Sequence, residues 1–170
     1  MRYMPKPVTV SIDVPQDRPT VYDFLDVMAN HEPFTNHLLR DWELSGPERG
    51  VGSKARVRVK ALGVTDVVDI EVVSAQAPER IVERNVATKA GRTAEGTYTL
   101  HALPGGGTRI AFEYRWVVTP LADRLTAPIA RAFIRRANTT AMRRLAEQLP
   151  PPRRDAGEPA AVLDPANAGS

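Results

Sequence analysis

A chain of 170 residues, 42% apolar and 25% charged, has the size and composition of one folded domain, which excludes wholesale disorder, and no run approaches the ~18 apolar residues of a spanning helix. With no cysteine, it has neither disulfides nor thiolate nucleophiles nor zinc–thiolate sites. The net charge of +3 is modest but uneven: Arg124, Arg131, Arg135, Arg136, Arg143 and Arg144 stand against Asp123 and Glu147, six positive charges to two negative, giving residues 121–149 a local +4.

The opening MRYMPKPVTV lacks the apolar core and cleavage site of a secretory signal, so the expected location is cytoplasmic. VTVSIDV, residues 8–14, alternates apolar and polar positions and predicts a half-buried strand. A helix follows, capped by Asp17 with Pro19 in its first turn, and Val21, Phe24, Leu25 and Met28 share its inward face. Glu32 and Pro33 argue against its continuation.

From about residue 38 the period becomes two, punctuated by the turn signals SGPERGVG, ALG, APE, KAG and PGGG. Six strands are predicted near 38–45, 53–62, 64–75, 79–88, 92–103 and 108–118, in an antiparallel meander. Ala55, Val57, Val59 and Ala61 share one face with Val68, Ile70 and Val72 of the next strand, while Lys54, Arg56, Arg58 and Lys60 oppose Asp69 and Glu71 on the other. Gly96, Tyr98 and Leu100, then Ile110, Phe112, Tyr114 and Trp116, extend the inward face. A final helix is predicted from a Thr119 cap with Pro120 in its first turn to about Leu149, kinked at Pro128. The tail from Pro150, rich in Pro, Ala and Gly, is expected to be disordered, leaving 1–149 as the domain.

The fold class is therefore α+β, a curved antiparallel sheet of about seven strands wrapped around a long C-terminal helix, with one or two short helices after the first strand. Ala130, Ala137 and Ala141 on the inward side of that helix are too small to fill a strongly curved sheet, although alanine is also the best helix former. Tyr98, Phe112, Tyr114 and Trp116 face them with an aromatic wall carrying a few polar tips, and Asn138 lies at the helix edge, a pattern that favours a small-molecule cavity over a solid core.

The helix PTVYDFLDVMANHEPF after a first strand, the turn GVGSKARVRV, and GTYTLHALPGGGTRIAFEYRW before a long terminal helix resemble the START-like, or SRPBCC, superfamily with its helix-grip fold, especially its polyketide cyclase/dehydrase and coenzyme Q-binding groups. The resemblance covers residues 7–149 and implies a deep hydrophobic cavity, with Phe34, Tyr98, Phe112, Phe133 and Ala137 at the family's usual cavity positions. No invariant catalytic motif carries over.

Other chemistries fit poorly. His31 and His37 are six apart with Pro33 between them, unlike helical metal ligands, and His101 should face solvent. Ser11, Ser45, Ser53 and Ser74 lack a nucleophile elbow, and GVGSKA precedes a strand instead of a helix. On strand 79–88 either Ile81, Glu83 and Asn85 or Val82, Arg84 and Val86 face inward, and the charged member is expected near the mouth, in reach of water. Asp66, in phase with Val68 and Ile70 but beside a turn, is a similar case.

These readings predict a protein that binds or carries a hydrophobic small molecule such as a lipid, polyketide or quinone, without cofactor or metal. Phe34, Val57, Val59, Ile70, Tyr98, Phe112, Tyr114, Trp116, Phe133, Ala137 and Asn138 are its candidate ligand-binding residues. Two alternatives stay open: an aromatase/cyclase working by acid–base chemistry in the same cavity, and an interaction protein using the arginine face. No specific nucleic-acid partner is expected, whereas that face leaves room for transient contact with an anionic membrane. The stretch around Phe34 reads as a pocket gate, which Trp42 either buttresses or leaves by facing outward.

Overall fold

The computed structural model describes residues 4–153; the tail expected to be disordered lies outside them beyond Arg153. β1 (Val8–Val14) leads into α1 (Arg18–Leu25), a 3-10 turn over Met28–Asn30 and the short α2 (His31–Thr35). The meander is β2 (Leu39–Ser45), β3 (Lys54–Ala61), β4 (Val64–Gln76), β5 (Arg80–Ala87), β6 (Arg92–Ala102) and β7 (Thr108–Val118). A 3-10 helix over Leu121–Arg124 precedes the long α3 (Ala127–Gln148). The seven strands form one sheet in the order β1-β7-β6-β5-β4-β3-β2, every pair antiparallel, so that β1 returns to pair with β7.

Local chemistry explains the element ends. Asp17 accepts a hydrogen bond from the Thr20 N–H at 2.9 Å, the expected cap of α1. As expected, α1 does not continue through Glu32 and Pro33, while the expected kink at Pro128 needs correction. Pro33 lies inside α2, early enough that its missing N–H belongs to the first turn, where the ladder asks for no donor. Pro128 does not kink a helix begun at Thr119: it sits at the start of α3, where its fixed φ favours initiation, and residues 121–124 form a separate 3-10 helix.

On the outer face of the sheet the predicted charge ladder forms, with Arg56 paired to Asp69 and Lys54 to Glu71. The inner face carries the core, in which Val21, Leu25, Phe34, Val57, Ile81, Ile110 and Leu145 are almost wholly enclosed. α3 lies along this face. Its arginines help to hold it there: Arg131 donates to the Lys6 carbonyl, Arg135 to that of Thr9, and Arg144 to Asn36 Oδ1 at 2.6 Å. At its C-terminal end Gln16 Nε2 donates to the Pro150 carbonyl at 2.8 Å.

Candidate functional site: a cavity between sheet and helix

Between the sheet and α3 is a cavity of about 640 Å³, within the range of roughly 300–1,000 Å³ typical of small-molecule sites. The sheet wall includes Val59, Val68, Ile70, Ala94, Phe112, Tyr114 and Trp116, and α3 contributes Ala130, Phe133, Ile134, Ala137, Asn138 and Ala141. The small helix residues leave the volume open where longer side chains would close it. On the sheet, Gly96 makes room for the Phe112 ring, from which a Cβ there would stand 2.9 Å. That ring packs on Tyr98 with centroids 4.6 Å apart.

Of the candidate residues, Val59, Ile70, Tyr98, Phe112, Tyr114, Trp116, Phe133, Ala137 and Asn138 come together on this cavity. Phe34 and Val57 do not. Both are sealed in the core, Phe34 because α2 turns its ring against His31 with centroids 5.2 Å apart. The expected Phe34 gate is thus corrected to a core anchor, while Trp42 does reach the cavity wall.

The mixed phase of β5 resolves with Ile81, Glu83, Asn85 and Ala87 inward. Glu83 is not at a wet mouth, as expected, but 5% exposed, because β5 is central in the sheet and α2 covers it with His31. His31 is 3% exposed. Its Nε2 stands 2.7 Å from the Leu25 carbonyl, which can only accept, so Nε2 carries a hydrogen and Nδ1 is the atom facing Glu83 Oε1 at 3.2 Å. The approach is close but poorly directed, and Oε1 has no hydrogen-bond partner. Two bare lone pairs at this distance would repel, so the contact is favourable only where one of the two atoms carries a hydrogen. Burial pushes the Glu83 carboxyl up, with the His31 charge opposing it. Burial also pushes the Tyr98 phenol well up, and the Glu83 charge adds to it. The Tyr98 ring stands edge-on to His31, centroids 5.8 Å apart. His31, Glu83 and Tyr98 therefore form a buried polar floor in a cavity whose wall is mainly apolar.

Sequence reasoning set His31 aside as a helix-end residue. The available signal was its phase, three residues after Met28 and seven after Phe24, which continues the buried face of α1. His37 is separate: its Nε2 donates to the Ala137 carbonyl at 3.0 Å, and Arg144 approaches Nδ1 at 3.4 Å. Among the described residues, no three His, Asp or Glu side chains converge as metal ligands.

Two acidic residues organise the rim. Asp66 accepts from the backbone N–H groups of Val67, Lys89 and Ala90, tying β4 to the turn between β5 and β6. Burial alone would raise its carboxyl, but those N–H groups and the Lys89 charge hold it below its ordinary value. Asp123 receives both Arg92 Nε and Arg92 Nη2, at 2.5 and 2.7 Å, linking the start of β6 to the 3-10 helix before α3. Arg92 is the only lysine or arginine among the described lining residues. It stands near Tyr114, whose phenol is pushed up to about 12 by burial, with Arg92 opposing. Leu62 and Val64, at the turn between β3 and β4, line the cavity while remaining 57% and 62% exposed, which marks an apolar mouth.

No helix of the described residues is long and apolar enough to cross a membrane. A family model described as polyketide cyclase / dehydrase and lipid transport matches residues 7–150. No curated protein matches the sequence. Among solved structures, the Zhui aromatase/cyclase from Streptomyces sp. R1128 is similar with a TM-score of 0.69 and 13% identity, over 86% of this chain and 93% of that one. A START superfamily protein from Mycobacterium smegmatis has a TM-score of 0.64 and 13% identity, over 84% and 96%. TTHA0849 from Thermus thermophilus has a TM-score of 0.63 and 18% identity, over 84% and 96%. At these identities the likeness shows a common fold.

Proposed function

The chain belongs to the polyketide cyclase/dehydrase and lipid transport family, and from that membership and the geometry of its cavity we propose that it binds a hydrophobic small molecule between the sheet and α3, as a carrier or binding protein of the cytoplasm. The observation that carries this reading is the largely apolar volume of about 640 Å³ between the sheet and the alanines of α3. Binding draws on burial of ligand surface at roughly 25 cal/mol per Å². The ligand enters at the apolar mouth around Leu62 and Val64. Contact of α3 with an anionic membrane would use exposed arginines such as Arg136 and Arg143, since Arg131, Arg135 and Arg144 already hold the helix to the rest of the chain. Native mass spectrometry of protein purified from its own host tests the binding reading. A bound apolar ligand, lost on extraction with organic solvent, is expected; protein that carries no such ligand and takes up none of a broad apolar panel would contradict it.

The His31–Glu83 pair favours a second reading, in which the bound molecule is a poly-β-keto chain and the pair acts as acid and base. Glu83 takes a proton from the carbon between two carbonyls, that carbon bonds to a further carbonyl carbon, and the new alkoxide recovers the proton. Removal of a second proton beside the new alcohol, with protonation of the departing hydroxyl, forms the double bond and releases water. Replacing Glu83→Gln would then abolish turnover and leave binding in place; turnover unchanged in the variant would exclude this role.

A further inference from the structure

Two buried polar atoms on different walls of the cavity lack partners: Glu83 Oε1 on the sheet and Asn138 Nδ2 on α3. Buried polar groups are nearly always hydrogen-bonded, since one left unmade has lost its water without a replacement. Their chemistry is complementary. Asn138 Nδ2 can only donate, whereas Glu83 accepts when ionised and donates when protonated. The charges of the lining add a third constraint. Among the described lining residues, Asp66, Glu83 and Asp123 face Arg92 as the only lysine or arginine, with His31 set against Glu83 and His37 bonded to the Ala137 carbonyl, and Arg92 gives its Nε and Nη2 to Asp123.

Resting on the binding function proposed above, we infer that the cavity selects a neutral ligand whose apolar body carries hydroxyl or keto oxygens, and that Glu83 and Asn138 are the residues that determine this specificity. A keto or hydroxyl oxygen accepts from Asn138 Nδ2. A hydroxyl hydrogen meets the ionised Glu83, or a keto oxygen meets the protonated one, so the same carboxyl can serve either group. A carboxylate, sulfate or phosphate would bring a negative charge into a low-dielectric cavity beside Glu83 with no unpaired cation to receive it. A pure hydrocarbon would fill the volume but leave both polar atoms unsatisfied. The selection thus works in two directions, against charge and for oxygen.

Equilibrium dialysis at neutral pH against four probes built on one ring system tests this: naphthalene, 2-naphthol, 2-acetonaphthone and 2-naphthoate. The intact chain is expected to bind the naphthol and the ketone about tenfold tighter than naphthalene, the scale of one good buried hydrogen bond, and the naphthoate weakest of all. Asn138→Leu is expected to weaken the preference for ketone over naphthalene severalfold while naphthalene still binds. Glu83→Leu should weaken the preference for naphthol severalfold and relieve the rejection of naphthoate; Asn138→Leu, at a half-buried position, keeps the test decisive if Glu83→Leu fails to fold. Equal binding of all four probes, naphthoate binding as well as naphthol, or a ketone preference unchanged in Asn138→Leu would overturn the ligand class. Failure of even naphthalene to bind the intact chain would instead overturn the binding function on which it rests.

Discussion

His31 Nδ1 and Glu83 Oε1 stand 3.2 Å apart, both side chains almost wholly buried, one from α2 and the other from the centre of the sheet. The contact joins residues 52 positions apart in sequence, places the cavity's polar floor, and leaves the carboxyl oxygen with capacity to spare for a ligand.

Because burial raises the Glu83 carboxyl, the folded chain holds a proton that the unfolded chain releases above its ordinary value of 4.5. Stability from this group is therefore fully present below 4.5 and falls as pH rises through the higher folded value. Glu83→Gln cannot titrate, so its stability relative to the parent should increase with pH over that window. Urea unfolding of both proteins from about pH 4 to about pH 8 measures the difference. A gap independent of pH would mean that Glu83 is not held protonated by the fold.

Asp66 has the opposite sign. Its carboxyl lies below the ordinary 3.8, so its stabilisation is present above 3.8 and lost as pH falls through the folded value. Asp66→Ala strands three backbone N–H groups at a partly wet rim and should cost about 2 kcal/mol at neutral pH. It should also flatten the acid limb of the stability curve, as read by thermal unfolding between about pH 2 and about pH 7.

Gly96→Ala sets a methyl 2.9 Å from the Phe112 ring, which is pinned by Tyr98 and cannot swing away freely. A loss of about 1–3 kcal/mol is expected, the usual range for overpacking. A chain that tolerates the alanine with unchanged stability would show that the aromatic wall is looser than its contacts indicate.

The Arg92–Asp123 pair bridges sheet and helix at the rim and is only partly shielded, so Asp123→Ala should cost no more than about 1 kcal/mol in stability. Its larger effect should be kinetic. Freed from this link, the segment before α3 should open more often, and stopped-flow displacement of a bound apolar dye should show release several-fold faster at little change in affinity. Unchanged release would place the exit elsewhere.

Much of this architecture was legible in the sequence because period-two burial and turn residues act locally. The strand limits from Val8 to Val118 fall within two residues of those expected, and Ala130, Ile134, Ala137 and Ala141 face the cavity as a helical phase requires. Proline was harder to read. Whether Pro33 or Pro128 breaks a helix or begins one depends on where the helix starts, and tertiary packing decides that. The least legible feature was the Glu83 environment. Its strand phase left either face open, and no local pattern tells that α2 will fold His31 over it. Phe34 shows the same limit, since an aromatic residue after a helix end could as readily serve the core as the cavity.

Titration of the chain with N-phenyl-1-naphthylamine, a neutral dye that brightens in apolar surroundings, tests the central claim most directly when paired with the Ala137→Phe variant. Ala137 lies on the helix wall of the cavity, and a phenyl ring there would occupy the space assigned to the ligand. The account predicts one saturable site in the parent chain and its loss in Ala137→Phe, with thermal stability maintained because the new ring fills a void. No saturable binding in the parent, or equal binding in the variant, would contradict it.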